Sequence, residues 1–350
     1  MSQPKVTVLI PTLNNPKELE IVLKSLNKQT WKGNLEIAVV GPTNDFGKEI
    51  TSSNGAKWID DKGSRNRADA CNVGIKEINC DILLFTDDDV IPGEDWVEKL
   101  VRWFQREEVA GVGGQNWAPD SDPLLAKVAD VAFGAKYVTA GTRYGKVSKG
   151  ELIEIEHNPG CNSAYRKEVL DEVKGFEPGC IGAEDVVLDH KIRSKGYKLW
   201  FDPESIMPHR RRVPPALFKQ MKNYGYVRTL ANSRWPELRS WSHLAIAMFP
   251  LLFFSAIMSI ACNFIISQSS ELYLQIPVIL AITYLSICWL GAILGNSPHK
   301  NITTLFLSPL MIFCAHFYYG IGVLKGLFQI YVGAGAAAGL GIQIDDKQRN

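Results

Sequence analysis

Leu83-Leu84-Phe85-Thr86-Asp87-Asp88-Asp89-Val90-Ile91-Pro92 decides how this chain is read. Ile82 to Phe85 is apolar and β-prone, as a short buried strand is, and three carboxylates follow at once. Three adjacent acids repel one another, which disfavours ionising all of them. An ordinary turn uses one Asp or Asn, sometimes two. A hard divalent cation removes the repulsion, because Mg²⁺ and Mn²⁺ prefer carboxylate oxygens and phosphates. The alternative is a solvated turn that happens to be acidic.

On the N-terminal side, Lys5 to Ile10 is a β-rich run ended by the loop Pro11-Thr12-Leu13-Asn14-Asn15. Pro16 opens a helix with Leu19, Val22, Leu23 and Leu26 on one face. Leu35 to Val40 predicts a second strand, Trp58-Ile59 a short third, and Ser64 to Lys76 a helix capped by Ser64. Strands alternating with helices predict an α/β fold with a mainly parallel, Rossmann-like sheet. In such sheets ligands bind beyond the carboxyl ends of the strands, where the acidic run sits.

On the C-terminal side, Glu94 to Arg106 is amphipathic, Val109 to Val112 reads as a strand, and Leu124 to Val138 as a packed or interfacial helix. Glu184-Asp185 opens a predicted helix through Ile192. Two acids in a first turn are ordinary dipole capping, or else one carboxylate is a general base for an acceptor hydroxyl. Leu199-Trp200-Phe201 predicts a strand, Asp202-Pro203 a turn, and His209 then opens a basic run. From Arg210 to Arg239 there are eight Lys and Arg against the single acid Glu237. That is a membrane-proximal cytoplasmic signature, or in part a grip on a diphosphate.

The 350 residues carry a net charge of +1, which gives no bias toward nucleic acid. Between Trp241 and Gly341 the only Asp, Glu, Lys or Arg residues are Glu271, Lys300 and Lys325. Trp241 to Ser270, Leu272 to Pro298 and Ile302 to Leu324 each exceed the roughly 20 residues needed to cross a bilayer. Three spans are expected, the third either crossing or, with Pro309, His316 and the nearby Lys325, dipping in and returning. The expected organisation is a cytoplasmic domain over 1–240, a transmembrane region over 241–333 and a tail over 334–350. The seven cysteines form no C-x-x-C pair, as in a reduced compartment, and the first residues lack the apolar core of a signal peptide.

With these pieces in order, residues 4 to about 240 resemble a family 2 glycosyltransferase with the GT-A fold. VTVLIPTLNN resembles the family's first strand and nucleotide-contacting loop, placing Pro11, Thr12 and Asn14 at the donor. Arg67-Ala68 with Asn72-Val73-Gly74 matches the helix near the donor diphosphate. Phe85 to Val90 matches the D-x-D element, which implies that Asp87 faces ribose and metal, Asp89 binds metal, and Asp88 orients the pair or contacts the sugar. Asn158 to Arg166 with Gly175-Phe176-Glu177 resembles the acceptor-side segment, and Glu184-Asp185 the E-D motif whose Asp is the base in inverting members. His209 falls where some members supply a further metal ligand. More narrowly, the run from His209 to Arg228 and the apolar tail are similar to succinoglycan-biosynthesis glucosyltransferases, which extend a sugar on an undecaprenyl-diphosphate carrier.

The chain departs from the family at two points. Gly41-Pro42-Thr43 stands where an Asp commonly reads the nucleotide base, leaving Asp45 or the backbone to do so. The Q-x-x-R-W element of processive synthases is absent, since Gln220 is followed by Met221-Lys222-Asn223-Tyr224. The resemblance implies an inverting enzyme that uses Mg²⁺ or Mn²⁺ and moves one sugar from a nucleoside diphosphate donor, UDP favoured, to a polyprenyl-linked or other lipid-linked acceptor. It would act in a polysaccharide assembly pathway at the inner or plasma membrane. A processive synthase and a catalytically silent sugar-nucleotide-binding subunit are the alternatives.

Overall fold

The computed structural model describes residues 3–136, 150–266 and 271–333. The start at Met1-Ser2, the end of the helix expected to reach Val138, the residues 267–270 between the first two apolar runs, and the tail 334–350 lie outside the described residues.

β1 (Val6–Pro11) is buried from Val6 to Ile10, as a strand covered on both faces must be. α1 (Pro16–Leu26) follows, then β2 (Leu35–Gly41), α2 (Gly47–Ser53), β3 (Lys57–Asp60), α3 (Arg67–Glu77) and β4 (Ile82–Phe85). α4 (Trp96–Val101) leads to β5 (Val109–Trp117), α5 (Leu124–Phe133), β6 (Ile153–Ile155), β7 (Ser163–Arg166), α6 (Lys167–Glu172), α7 (Glu184–Ser194) and β8 (Lys198–Pro208). α8 (Ala216–Arg234), α9 (Trp241–Ile266), α10 (Glu271–Leu294) and α11 (Ile302–Gly333) complete the chain.

The strands form one mixed sheet in the order β3-β2-β1-β4-β7-β5-β8-β6. β3, β2, β1 and β4 are parallel, as are β5 and β8, while β7 runs antiparallel between β4 and β5 and β6 antiparallel to β8. The expected parallel rhythm holds through β4. It breaks at β7 because that strand returns after α5 and β6, and an antiparallel neighbour needs no crossover helix. Leu9 lies opposite Phe85 in the β1–β4 register, so the loops after these two strands leave the same edge. Val8, Ile10, Leu19, Leu23, Leu84, Trp96 and Val112 pack the core beneath.

Two local expectations are corrected. α3 is capped by Asn66, not Ser64: the Asn66 side chain accepts from the Asp69 amide at 2.9 Å. The turn expected at Asp202-Pro203 is an irregularity inside the 11-residue β8, where the pairing jumps from Gly114–Asp202 to Gln115–Ile206. The buried Asp202 carboxylate is satisfied there by Arg102 Nη2 at 3.0 Å and Trp103 Nε1 at 2.7 Å.

The chain divides into two compact units. The sheet, with the helices between its strands other than α5, belongs to the first; α5 and α8 join α9, α10 and α11 in the second. Val128, Ala129, Leu217, Met221, Cys288, Ala292, Met311 and Ile312 form that second core. Arg211, read as part of a membrane-proximal basic run, is buried instead, with its Nε 2.8 Å from Asp130 Oδ1. Ser297 Oγ donates to the other Asp130 oxygen at 2.8 Å.

Among the described residues one helix, Ile302–Val332, is long and apolar enough to cross a membrane, and Ile279–Leu294 is a shorter apolar helix. α11 runs unbroken through Pro309, so it is one rod and not a segment that turns back.

Candidate active site

The three acids at the end of β4 point to three different surroundings. Asp87 Oδ1 accepts a hydrogen bond from Arg67 Nε at 2.9 Å. Asp88 turns back to the β1 loop, where Thr12 Oγ1 donates to it at 2.6 Å and Asn15 Nδ2 at 3.2 Å. Its burial raises the carboxyl's pKa, against the pull of those two hydrogen bonds. Asp89 is exposed. β4 ends at Phe85 and the chain turns at Asp88-Asp89, so the three side chains leave the backbone in different directions.

Asn14 has a φ of 53°, a left-handed conformation that Asn tolerates better than most residues. Its amide donates to Asp45 Oδ2 at 2.5 Å, and Gly47 N donates to Asp45 Oδ1 at 2.6 Å. Asp45, one of the two expected readers of the base, therefore braces the β1 and β2 loops with both oxygens. Pro11 ends β1 opposite Val40 of β2, and Thr12 N donates to the Val40 carbonyl at 2.9 Å.

Arg67 stands in the first turn of α3. Besides Asp87 it grips the Gly160 carbonyl through Nη2 at 2.8 Å. Burial opposes the guanidinium charge, but Asp87 first, with Glu184 also contributing, holds Arg67 firmly protonated. Asn72, one turn further on, is differently engaged. Its Nδ2 donates to the Phe176 carbonyl at 3.0 Å and its Oδ1 accepts the Phe176 amide at 2.8 Å. Its contacts tie α3 to the Gly175-Phe176 turn.

Glu184 and Asp185 open α7 as expected. Asp185 is half-buried, and its Oδ1 accepts the Val186 amide at 2.8 Å. Glu184 Oε2 is sealed from solvent without a hydrogen-bond partner. Burial, and then the neighbouring Asp185 charge, raise the Glu184 carboxyl's pKa, while Arg67 lowers it. Arg67 is thus hydrogen-bonded to Asp87 after β4 and interacts electrostatically with Glu184 at the start of α7.

His209 N donates to the Trp117 carbonyl at 2.7 Å, and the residue forms an antiparallel bridge with Val90, directly after Asp89. Its Nδ1 lies 3.5 Å from Cys161 Sγ. Among the described residues no group of three or more His, Cys, Asp or Glu is placed to hold a metal ion by itself. Asp87, Asp89 and His209 are therefore no preformed cage, since Asp87 is turned to Arg67. The donor set still fits a hard cation, which commonly takes one or two carboxylates and completes its shell with substrate phosphates.

Residues 7–174 match the family model described as glycosyl transferase family 2. The chain carries a family 2 glycosyltransferase domain. A 225-residue stretch is 26% identical to the O-antigen chain rhamnosyltransferase RfbN of Salmonella typhimurium, over 60% of this chain and 68% of that one. The dolichyl N-acetyl-alpha-D-glucosaminyl phosphate 3-beta-D-2,3-diacetamido-2,3-dideoxy-beta-D-glucuronosyltransferase of Methanococcus voltae is 25% identical, over 84% of this chain and 99% of that protein. Succinoglycan biosynthesis protein ExoA of Rhizobium meliloti is 22% identical over 69% of this chain and 74% of its own length. In fold the glycosyltransferase is similar to the mannosyltransferase PcManGT from Pyrobaculum calidifontis, solved with GDP-Man and Mn²⁺. The TM-score is 0.63 at 17% identity, covering 94% of this chain and 88% of that one.

Four contributors to the glycosyltransferase's site were not singled out from the sequence. Asn15 holds Asp88, the Gly160 carbonyl holds Arg67, and Asp189 and Tyr165 form a buried pair behind α7 with Tyr165 Oη 2.8 Å from Asp189 Oδ1. Asn15, Gly160 and Tyr165 lay within segments that resemble the family's, and Asp189 lies four residues after Asp185 and so on the same helical face.

Proposed function

We propose that this glycosyltransferase is an inverting, metal-dependent enzyme moving one sugar from a nucleoside diphosphate donor, UDP favoured, to a polyprenyl-linked or other lipid-linked acceptor. The observation that carries the proposal is Arg67, hydrogen-bonded to Asp87 and electrostatically coupled to Glu184, which makes the two acidic elements one site. Asp89 and Asp87 would hold Mg²⁺ or Mn²⁺, with His209 as an outer contributor beside Val90. A cation bound there supplies charge neutralisation to the diphosphate as it leaves. The Arg67 guanidinium faces the same diphosphate charge, while Asp88 keeps the donor loop with Pro11, Thr12 and Asn14 in place.

Asp185 takes the proton of the acceptor hydroxyl as its oxygen bonds to the anomeric carbon and the bond to the diphosphate breaks on the opposite face. Burial and the neighbouring Asp185 raise the Glu184 carboxyl's pKa, so Glu184 is the less suited of the two to take that proton as a carboxylate. RfbN and ExoA are named for O-antigen and succinoglycan synthesis, which supports a role in polysaccharide or glycolipid assembly. Ile302, Phe306 and Leu310 repeat every four residues along α11 and are 89%, 79% and 62% exposed, as a lipid-facing stripe is. With α9 and α10 as further spans, the sheet-bearing domain works at the cytoplasmic side of the membrane.

The test is to incubate membranes holding the full chain with labelled nucleotide sugars, with and without Mn²⁺, and extract the lipid. Transfer to lipid should require the cation, and Asp185→Asn should lower it by about 10²–10⁴-fold. Asp89→Asn should abolish it with the protein still folded. Full activity in Asp185→Asn removes the base from this position.

A further inference from the structure

The acid of α7 that the reaction leaves unused is Asp189. It is fully buried, one turn below Asp185. Its Oδ2 accepts the Asn158 amide at 2.5 Å and its Oδ1 the Tyr165 hydroxyl at 2.8 Å. The Asn158 side chain is buried with both Oδ1 and Nδ2 lacking hydrogen-bond partners, so this segment is tied to α7 through its backbone on Asp189. Two residues on, the Gly160 carbonyl receives Arg67 Nη2, and Arg67 Nε reaches Asp87. Tyr165 is fixed in turn: its ring packs over Gly111, where an added Cβ would lie 2.6 Å from it, and meets Phe85 edge-on at 5.9 Å. Phe85 is the last residue of β4 before the acids.

We propose that Asp189 is a positioning residue which, through Asn158 and Gly160, sets Arg67 against Asp87 and so links the helix of the acceptor base to the donor diphosphate. This rests on the donor reading of Arg67 and Asp87 given above. The link has a geometric logic. Arg67 is held at two points, and only Asp87 belongs to the donor strand; the other is a loop carbonyl that must itself be held still. A carboxyl accepting from both a loop amide and a sheet hydroxyl provides that hold from inside the core. Asn at 189 preserves it, since its carbonyl accepts from Asn158 N and its amide donates to the Tyr165 oxygen. Ala removes both bonds.

The experiment compares the full-length wild type with Asp189→Ala, Asp189→Asn and Tyr165→Phe by amide hydrogen exchange over 157–162 and by calorimetric titration of UDP and of GDP in the presence of Mn²⁺. In Asp189→Ala, exchange in that segment should rise about tenfold and nucleotide affinity should fall about tenfold. Asp189→Asn should restore both. Should Asp189→Ala not fold, Tyr165→Phe carries the same test at about threefold, because one of the two donors is gone and the ring remains. Unchanged exchange overturns the proposal, and so does faster exchange with wild-type nucleotide affinity, which would make Asp189 merely structural. A wild type that binds neither nucleotide removes the donor reading instead, and the exchange comparison still decides whether Asp189 holds the loop.

Discussion

Asp87 and Asp185 are residues whose chemical types and places suggested work, and charge explains why, whereas Arg67 entered only through the family resemblance. A run of acids, or two acids opening a helix, needs a partner wherever the chain puts it. Asn72 shows the opposite case. Its amide suits a phosphate or a peptide equally well, and only the fold brings Phe176 to it. Asn72→Ala should leave the Phe176 backbone groups unpaired and destabilise the protein by roughly 1–3 kcal/mol, measurable by denaturant unfolding. Asp189 permits a pH test. Its burial raises the folded-state pKa above the ordinary 3.8, despite the hydrogen bonds from Asn158 and Tyr165. The folded chain therefore holds that proton more tightly than the unfolded chain does. The stability it contributes is fully present below 3.8 and is lost as the pH rises through the folded value. The melting temperature of Asp189→Asn minus that of wild type should accordingly grow from acid toward neutral pH. A difference that stays flat would show that the carboxyl does not titrate in this range.

Among the elements, α8 and α11 are joined by backbones in contact. A Cβ on Gly225 would lie 2.0 Å from the Tyr319 carbonyl oxygen, and one on Gly322 2.0 Å from that of Lys222. Neither neighbour is a flexible side-chain tip, so the helices themselves must separate to admit a methyl group. Gly322→Ala should cost roughly 1–3 kcal/mol, read as a lowered thermal midpoint of the detergent-purified protein. The pattern was present in the sequence as the small residues Gly322 and Gly326, but nothing local says which helix they face. The Asp130–Arg211 pair has the same origin. Asp130 is the lone acid of an apolar helix, and its partner lies 81 positions away. Asp130→Ala should leave a buried Arg211 charge and destabilise by roughly 3–5 kcal/mol, whereas a surface pair would give far less.

For the whole molecule, the shift in composition at Trp241 was plain, and the helices that follow occupy the apolar runs. α5 and α8 lie earlier in the chain, yet they share a core with α10 and α11, because their own apolar faces find cover there. The full chain is expected to stay with the membrane fraction after an alkaline carbonate wash; release into the supernatant would contradict membrane spanning. The sequence by itself determined the α/β class, the strand-end position of the acids, the acidic opening of α7 and the apolar C-terminal region. These rest on local period and on charge, which travel with the residues. Only the tertiary structure decided that β7 runs antiparallel, that Asp45 braces loops, that Asn72 holds Phe176, that Arg211 is buried, and that Asp189 reaches Asn158. Each is a pairing between distant residues, and a buried polar group takes whichever partner the packing of the apolar faces brings within reach.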